Sequence, residues 1–228
     1  MIKNISNLGD AAVYCDFGSE VNETVNSNVI NYFNHITDLV NKEKIQGINN
    51  LTPSYNKLII SFDLSLIKFS NLKEIIQNLN ITKKIKKDYQ KIEIPVCCDN
   101  EYGLDFNRLS KKLDLSKDEI LKFFFEKEYF CYMTGFIAGM PFIGDINKKI
   151  RCDRLETPRV KVPKGSVGIT EQFSNIYTFE SPGGWNIIGN TPKKVFKKSN
   201  LKDPALVKPG DKISFYQISK KEYLKLND

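Results

Sequence analysis

The sequence of 228 residues is poor in histidine, the side chain that enzymes use most often for acid–base catalysis. Its single histidine, His35, falls toward the polar side of an amphipathic helix predicted over residues 25–42. A Ser-His-Asp or Cys-His mechanism requires a histidine base. Unless His35 is that base, we expect proton transfer to rely on Asp, Glu, Lys or Tyr, or on a partner chain.

Signatures of disulfides, zinc sites and membrane segments are also missing. The five cysteines are odd in number and form no C-x-x-C pair, which argues against a disulfide framework or a zinc site and favours a reducing cytoplasm. No run of 18 apolar residues is present, so we predict no membrane span. The N-terminus, MIKNISNLGDAAVYCDF, lacks the basic and apolar blocks of a signal peptide. We therefore expect a cytoplasmic protein that holds no metal.

The net charge of +7 suggests nucleic-acid binding, but the distribution of the charge argues against it. Of the 34 basic residues only four are arginine, and Lys, Asn and Ile are frequent throughout, as expected from a biased genome. The densest basic run, KKIKK at 83–87, has no interleaved aromatic side chains on which bases stack. We predict that this run is a solvated loop and that the protein has no nucleic-acid partner.

The first part of the chain alternates between strand and helix patterns in the order β-α-β-β-α-β. This order is typical of a ferredoxin-like domain, in which two helices cover one face of an antiparallel sheet. A Ser N-cap is predicted for the second helix. The predicted strands span residues 11–17, 47–55, 57–63 and 89–96, and the predicted helices span 25–42 and 70–79.

Two more helices are predicted next, and the residue composition of the sequence then changes. One helix covers 105–113, and the other follows SKDE (116–119), which has the spacing of a capping box. Eight of the 13 glycines and five of the nine prolines lie between 135 and 192, where short apolar segments alternate with turn residues. This pattern indicates an all-β barrel or sandwich. The predicted fold class is thus α+β, with an N-terminal domain over 1–96, a helical connection over 97–134 and a β domain over 135–228.

A cluster of arginines precedes this glycine-rich region. Arg151, Arg154 and Arg159 lie within nine residues of one another, in a chain whose other basic residues are almost all lysine. Retained arginine suggests a need for the planar guanidinium group, which binds carboxylates and phosphates in a bidentate manner; a structural ion pair is the alternative. The glycines of GFIAGMPFIG (135–144) allow backbone amides to approach an anion. No GK[ST] follows them, so the usual ATP-binding loop is absent.

The segment Pro163–Pro192 is predicted to be a rigid scaffold whose turns line a site shared with the arginines. Trp185 is expected to anchor the SPGGW corner by burying its ring. No catalytic residue is assigned, and no metal ligand is predicted. The candidate substrate-binding residues are Arg154, Arg159, Ser166, Gly168, Gly183, Gly184, Trp185, Gly135 and Gly139.

Several segments together closely resemble the allophanate hydrolase subunit 1 family, which contains the B subunits of bacterial 5-oxoprolinase and the sporulation-kinase inhibitor KipI. The resemblance covers nearly the whole chain, and the pair GSVGI and SPGGW, in this order and spacing, is highly specific. The matching segments are NLGDAAVYCDFG, LTPSYNKLIISFD, IEIPVCCDNEYGLDF, GFIAGMPFIG, DRLETPRVKVPKGSVGI and SNIYTFESPGGWNIIGNTP.

The resemblance implies a small α+β domain followed by a cyclophilin-like β-barrel. It also implies one component of an ATP-dependent 5-oxoprolinase complex that opens 5-oxoproline to glutamate. ATP, accompanied by Mg²⁺, is the implied phosphate source. The implied partners are the A subunit and the C subunit of that complex, the latter a cyclophilin-fold protein, and the chain alone is expected to be inactive. The alternatives are a KipI-like inhibitor of a sensor histidine kinase and a component of a urea carboxylase or allophanate hydrolase system, although no biotin-attachment or amidase signature is present.

The chain departs from the family pattern at several positions. Ala138 replaces a proline and Met140 an aromatic residue in the glycine-rich loop, Phe124 stands where many members have histidine, and Asn190 replaces the arginine of IGRTP. These changes are consistent with drift, with an altered substrate or with lost catalysis.

Overall fold

The computed structural model describes residues 1–79, 81 and 89–227 and divides the chain into two compact units, Met1–Asp88 and Tyr89–Asp228. The basic run predicted as a loop at 83–87 lies outside the described residues. The described residues contain no helix that is long and apolar enough to cross a membrane.

The N-terminal unit is a four-stranded antiparallel sheet with two helices. The strand order is β1-β2-β4-β3. Its elements are β1 (Asn4–Asn7), β2 (Ala12–Asp16), α1 (Glu23–Asn41), β3 (Ile48–Pro53), β4 (Lys57–Phe62) and α2 (Phe69–Gln77).

One face of this sheet is apolar because every second residue of a strand points to the same side. Val13 and Cys15 of β2 lie opposite Ile60 and Leu58 of β4, and all four side chains are fully buried. The apolar stripes of both helices belong to the same core cluster, which includes Ile36. The Asn22 side chain caps α1 by accepting from the N–H of Val25 at 2.9 Å. Ser70 does not cap α2, because that helix already begins at Phe69.

The predicted ferredoxin-like arrangement is not confirmed, because its sixth element lies elsewhere. The strand predicted at 89–96 is present as β5 (Lys91–Cys97), but it pairs with barrel strands of the second unit. The edge position beside β2 is instead occupied by β1, which forms a hairpin with β2. Alternating apolar residues predicted a strand correctly at 89–96, but they do not specify its partner.

The C-terminal unit is a closed barrel of seven strands in the order β10-β7-β6-β13-β5-β12-β9, with a two-stranded β8-β11 sheet beside it. The strands after β5 are β6 (Glu128–Thr134), β7 (Pro141–Gly144), β8 (Arg159–Val162), β9 (Ser166–Thr170), β10 (Phe173–Ile176), β11 (Ser181–Gly183), β12 (Asn186–Asn190) and β13 (Lys212–Ile218). The helices are α3 (Phe106–Leu113), α4 (Lys117–Phe125) and α5 (Lys220–Asn227), with a 3₁₀ turn at Lys148–Ile150.

The barrel begins much earlier in the chain than residue 135. Strands β5 and β6 both belong to it, so α3 and α4 lie between two barrel strands and do not connect two domains. The predicted capping box at Ser116 and Glu119 is present, and α4 packs on the barrel through Phe124. The helix pattern of residues 116–130 concealed β6, because the apolar run continues through Phe130.

Candidate functional site

Arg159 begins β8 and lies opposite Gly183 of β11 in the small two-stranded sheet. Its Nη2 donates to Oδ1 of Asp105 at 2.7 Å. The Asp105 side chain is only 5% exposed, whereas that of Arg159 is 28% exposed. A buried carboxylate therefore holds one nitrogen of a guanidinium group that still reaches the surface.

Asp105 is fixed by the backbone of β12. It directly precedes α3, but its side chain does not cap that helix. Its Oδ2 accepts from the backbone N–H of Ile187 at 2.7 Å, and its own N–H donates to the Ile187 carbonyl at 3.1 Å. Both carboxylate oxygens are thus occupied, which sets the orientation of the Arg159 side chain.

Several buried polar atoms near Arg159 have no hydrogen-bond partner among the described residues. They are Nη1 of Arg159, both side-chain polar atoms of Asn175 and Oγ of Ser181. Asn175 is completely buried. Such atoms are rare in folded proteins because each costs about 1–3 kcal/mol when it is left unsatisfied. Their accumulation here marks a candidate binding site.

Arg159 and Asn175 lie close enough to the phenol of Tyr177 to influence its ionisation. A Cβ added to Gly183 would overlap the Tyr177 hydroxyl, and Ser181 lies two residues earlier on β11, across an irregularity in its pairing with β8. We call the set Arg159, Asn175, Tyr177, Ser181 and Trp185 the Arg159 cluster.

Burial raises the pKa of the Tyr177 phenol above its usual value of 10.0. The Asn175 side chain, the backbone N–H of Trp185 and the charges of Arg154 and Arg159 act in the opposite direction but do not overcome it. The amide of Asn175 thus lies beside the phenol, although neither of its polar atoms has hydrogen-bond geometry to a described residue. Tyr177 consequently remains a neutral hydroxyl at ordinary pH and is able to donate or accept a hydrogen bond.

The glycine and tryptophan positions of the two specific motifs are explained by close packing in this cluster. A Cβ at Gly168 would lie 2.9 Å from Oδ1 of Asn175 and 3.0 Å from Cβ of Trp185. Trp185 is 5% exposed, and its ring meets that of Phe142 edge to face at 5.7 Å. The guanidinium of Arg154, an exposed residue, lies 6.0 Å from the same indole ring.

The remaining predicted site residues shape the backbone around the cluster. Gly184 accepts the Leu155 N–H at 2.7 Å, and the Ser166 carbonyl accepts the N–H of Tyr177 at 2.9 Å. Gly135 and Gly139 belong to a turn closed by the bond from Gly135 N–H to the Met140 carbonyl at 3.0 Å. Gly139 has a φ of +69°, which glycine adopts readily.

The four residues that depart from the family pattern each make defined contacts in the structure. Phe124 is fully buried and packs on Phe215 with ring centroids 4.9 Å apart. Met140 joins a small apolar cluster with Tyr177. The Ala138 carbonyl accepts from the Thr178 hydroxyl at 2.7 Å. Asn190 bridges two segments, since its Nδ2 donates to the Lys164 carbonyl and its Oδ1 accepts from Tyr223, each at 2.9 Å.

The histidine is placed by its helix. His35 is half-buried, and its Nδ1 donates to the carbonyl of Asn31 one turn earlier at 2.9 Å. In the described ranges, no group of three or more His, Cys, Asp or Glu side chains is arranged to hold a metal ion.

Sequence reasoning missed four important residues: Asp105, Asn175, Tyr177 and Ser181. An aspartate before a helix is normally interpreted as an N-cap, which concealed the role of Asp105. The other three lie in the segment SNIYTFES, where their polarity in a strand-rich region was the only available signal.

The arrangement is suited to binding a small molecule that has both an anionic and an amide group. The remaining guanidinium nitrogen attracts an anion, the amide of Asn175 offers one donor side and one acceptor side, and the hydroxyls of Tyr177 and Ser181 complete the set.

Comparisons with known proteins identify the family of the chain. The family described as "Carboxyltransferase domain, subdomain C and D" matches residues 3–207. The 5-oxoprolinase B subunit of Bacillus subtilis is 32% identical over 233 residues, which cover 96% of this chain and 94% of the relative. The protein of the same name from Haemophilus influenzae is 36% identical over 175 residues, or 76% of this chain and 78% of the relative.

The chain is also similar to more distant proteins and to solved structures. The urea amidolyase of Saccharomyces cerevisiae is 22% identical over 251 residues, which cover 96% of this chain but only 13% of that protein. The crystal structure of TTHA0988 superposes with a TM-score of 0.79 at 26% identity and covers 91% of this chain, which spans only 40% of that longer chain. The expected resemblance is confirmed, and the chain belongs to the family of carboxyltransferase domains, subdomains C and D, that includes allophanate hydrolase subunit 1 and KipI.

Proposed function

We propose that this chain is the B subunit of an ATP-dependent 5-oxoprolinase that opens 5-oxoproline to L-glutamate together with A and C subunits. The names of its relatives, which cover nearly the full length of the chain, support this proposal. A cyclophilin-like character of the barrel and the assignment of the C subunit as a second cyclophilin-fold protein form part of the same proposal.

The single observation that carries the proposal is the set of unsatisfied buried polar atoms around Arg159. 5-Oxoproline has one carboxylate and one lactam, and the ring places the lactam N–H and C=O on the same side. The primary amide of Asn175 presents a donor and an acceptor in the complementary arrangement. Nη1 of Arg159 and the hydroxyl of Ser181 then supply the contacts for the carboxylate.

The chain's own residues bind and orient the substrate. ATP would supply a phosphoryl group to the lactam oxygen, which makes the lactam carbon electrophilic enough for water to add. Cleavage of the C–N bond would then free the amine and leave an acyl phosphate, from which a second water would release inorganic phosphate and glutamate. Tyr177, held neutral by burial, donates a hydrogen bond and is not the base. Proton removal from water is assigned to a partner protein of the complex, because the single histidine is committed to its own helix.

The test is reconstitution. Glutamate release from 5-oxoproline and ATP is measured with this chain alone, with the A and C subunits alone, and with all three together. We expect activity only from the complete set. Full activity of the isolated chain would contradict a composite site, and no activity from the complete set would contradict the proposed reaction and favour the alternative of a KipI-like kinase inhibitor.

A further inference from the structure

A cleft opens next to the Arg159 cluster. Its volume is about 270 Å³, and Lys164, Gly165, Thr191, Lys194 and Tyr223 are among the residues that line it. We call it the lysine cleft. None of its lining residues is among the candidate substrate-binding residues named from the sequence, although several lie in the segment Pro163–Pro192.

The charge of the lysine cleft has one sign. Among the residues that the structure describes, its lining contains Lys164, Lys193 and Lys194 but no aspartate or glutamate. The ammonium group of Lys193 donates to the Glu93 carbonyl at 2.7 Å. Within the part of the chain that the structure describes, Lys164 and Lys194 form no ion pair, so two cations are available to an anionic ligand.

The wall that carries Lys164 is preorganised. The Lys164 carbonyl accepts from Asn190, whose Oδ1 in turn accepts from Tyr223 of α5. Gly165 follows with a φ of +82°, and a Cβ there would lie 2.5 Å from Oδ1 of Asn190 and 2.6 Å from the Thr191 carbonyl. Only glycine fits this position, and the backbone around the cleft is therefore held in one conformation before any ligand arrives.

A hydroxyl donor completes the lining. Oγ1 of Thr191 accepts from the N–H of Lys193 at 3.1 Å, which leaves its own O–H free to donate. Two ammonium groups and a hydroxyl are the donors that a phosphate oxygen accepts from.

The size of the cleft limits the ligand. Pockets for drug-sized molecules usually measure roughly 300–1,000 Å³, so a cleft of about 270 Å³ favours a ligand smaller than a complete nucleotide. It is large enough for a short chain of phosphate groups whose remaining part stays outside.

Its location connects the cleft to the Arg159 cluster. Tyr177 lines the cleft, and the phenol of the same residue belongs to the Arg159 cluster. The two sites are therefore separated by no more than one side chain.

We propose that the lysine cleft binds the phosphate chain of an oligophosphate, such as that of a nucleoside triphosphate, without contacting the nucleoside. The inference rests on the proposed function for the identity of its natural ligand, since ATP is the phosphate donor there. It is tested by binding alone, so that the two proposals fail separately.

The experiment is calorimetric titration of the full-length chain with tripolyphosphate, ATP and GTP at low ionic strength. We expect the three ligands to bind with similar affinity. Lys164→Gln and Lys194→Gln should each weaken binding about 10-fold, because each removes a charge-assisted contact. Lys122→Gln, at an exposed lysine of α4, removes the same charge away from the cleft and should change affinity less than about 2-fold.

Three outcomes would overturn the proposal. No binding of tripolyphosphate would exclude the site, and equal weakening by Lys122→Gln and the cleft variants would show only a general effect of net charge. ATP binding far tighter than tripolyphosphate binding would show that the protein also contacts the nucleoside. Intact binding without glutamate release in the reconstituted system would refute the proposed reaction and leave the oligophosphate site standing.

Discussion

Two arginines, Arg108 and Arg159, approach the same strand of the barrel but are satisfied very differently. Arg108 of α3 donates to the side chain of Asn186, to the Arg154 carbonyl at 3.3 Å and to the Cys152 sulfur at 3.4 Å. Arg159 has Asp105 as its single polar partner in the described structure, and its buried Nη1 has none.

The difference separates a structural arginine from one that is available to a ligand. The donors of Arg108 connect α3 to the start of β12 and to the loop that contains Cys152 and Arg154. The guanidinium group of Arg108 therefore has protein partners without any ligand. Arg159 is positioned by a neighbouring carboxylate and still has a buried donor without a partner among the described residues. Residue type and sequence position alone do not distinguish the two, whereas the count of satisfied donors does.

The largest expected effect removes support from both arginines at once. Trp185 directly precedes Asn186 and Ile187, and its buried ring packs on Phe142. Trp185→Ala should lower the free energy of unfolding by about 3–5 kcal/mol, because a large buried ring leaves a cavity. Denaturant unfolding measures this loss.

Trp185→Phe serves as the control for ring burial, and it should retain much of the stability lost in the alanine variant. A loss below about 1 kcal/mol in Trp185→Ala would show that the SPGGW corner is held by its turn alone and not by the indole.

The next effect is specific to Arg159. Arg159→Lys keeps the charge but loses the planar group that bonds Asp105 on one nitrogen and presents another to the substrate. We expect kcat/KM of the reconstituted enzyme to fall roughly 10–150-fold, which corresponds to about 1.5–3 kcal/mol of lost transition-state stabilisation. The melting temperature should change little.

Two results would revise this view. Unchanged activity would remove Arg159 from the site. A collapsed melting temperature would show that the pair with Asp105 is primarily structural, like the contacts of Arg108.

Arg108 should behave in the opposite way. Arg108→Ala leaves Oδ1 of the fully buried Asn186 without its donor, which should cost about 1–3 kcal/mol of unfolding free energy. Substrate KM should change little in the fraction that remains folded. Arg108→Lys, which retains one donor, should recover part of the stability, and a KM effect as large as that of Arg159→Lys would abolish the distinction between the two arginines.

The sequence predicted the α+β class, most of the helices and many of the strands, because their signals are local. The capping box at Ser116 and Glu119 is such a signal, and it is present as predicted. The alternation of Ile92, Ile94 and Val96 correctly indicated a strand. It did not reveal that this strand pairs in parallel with β13, more than a hundred residues later. Long-range pairing is not encoded in local periodicity, so the sixth strand was assigned to the wrong sheet.

The candidate site was predicted only in part, for a related reason. The scarcity of arginine in this chain pointed to Arg154 and Arg159, and the structure places both near Tyr177. Asp105, which orients Arg159, comes from a helix start 54 residues earlier in the chain. Asn175 has an ordinary place in a strand, and only its complete burial without a partner distinguishes it. Burial and satisfaction are properties of the packed molecule and have no counterpart in a short motif.

The smallest effect concerns the phenol that lies beside Arg159. The pKa of Tyr177 in the folded protein is raised by burial, so the folded state holds this proton at a pH where the unfolded chain, near its usual value of 10.0, has lost it. The stability contributed by the neutral phenol is therefore fully present below about pH 10 and is lost as the pH rises above it. Tyr177→Phe removes this ionisation from both states.

Between about pH 9 and about pH 11, the unfolding free energy of the wild type should consequently fall more steeply than that of Tyr177→Phe, by at most about 1.4 kcal/mol per pH unit. The positive charge of Arg159 lowers the pKa of the same phenol. Arg159→Gln should therefore make the unfolding free energy fall still more steeply with pH when Tyr177 is present. In the Tyr177→Phe background, the same substitution should not change this slope. Urea unfolding of the four proteins across this pH range measures the coupling. Equal slopes in all four would show that the phenol and the guanidinium group do not influence each other, and Tyr177 would then not belong to the Arg159 cluster.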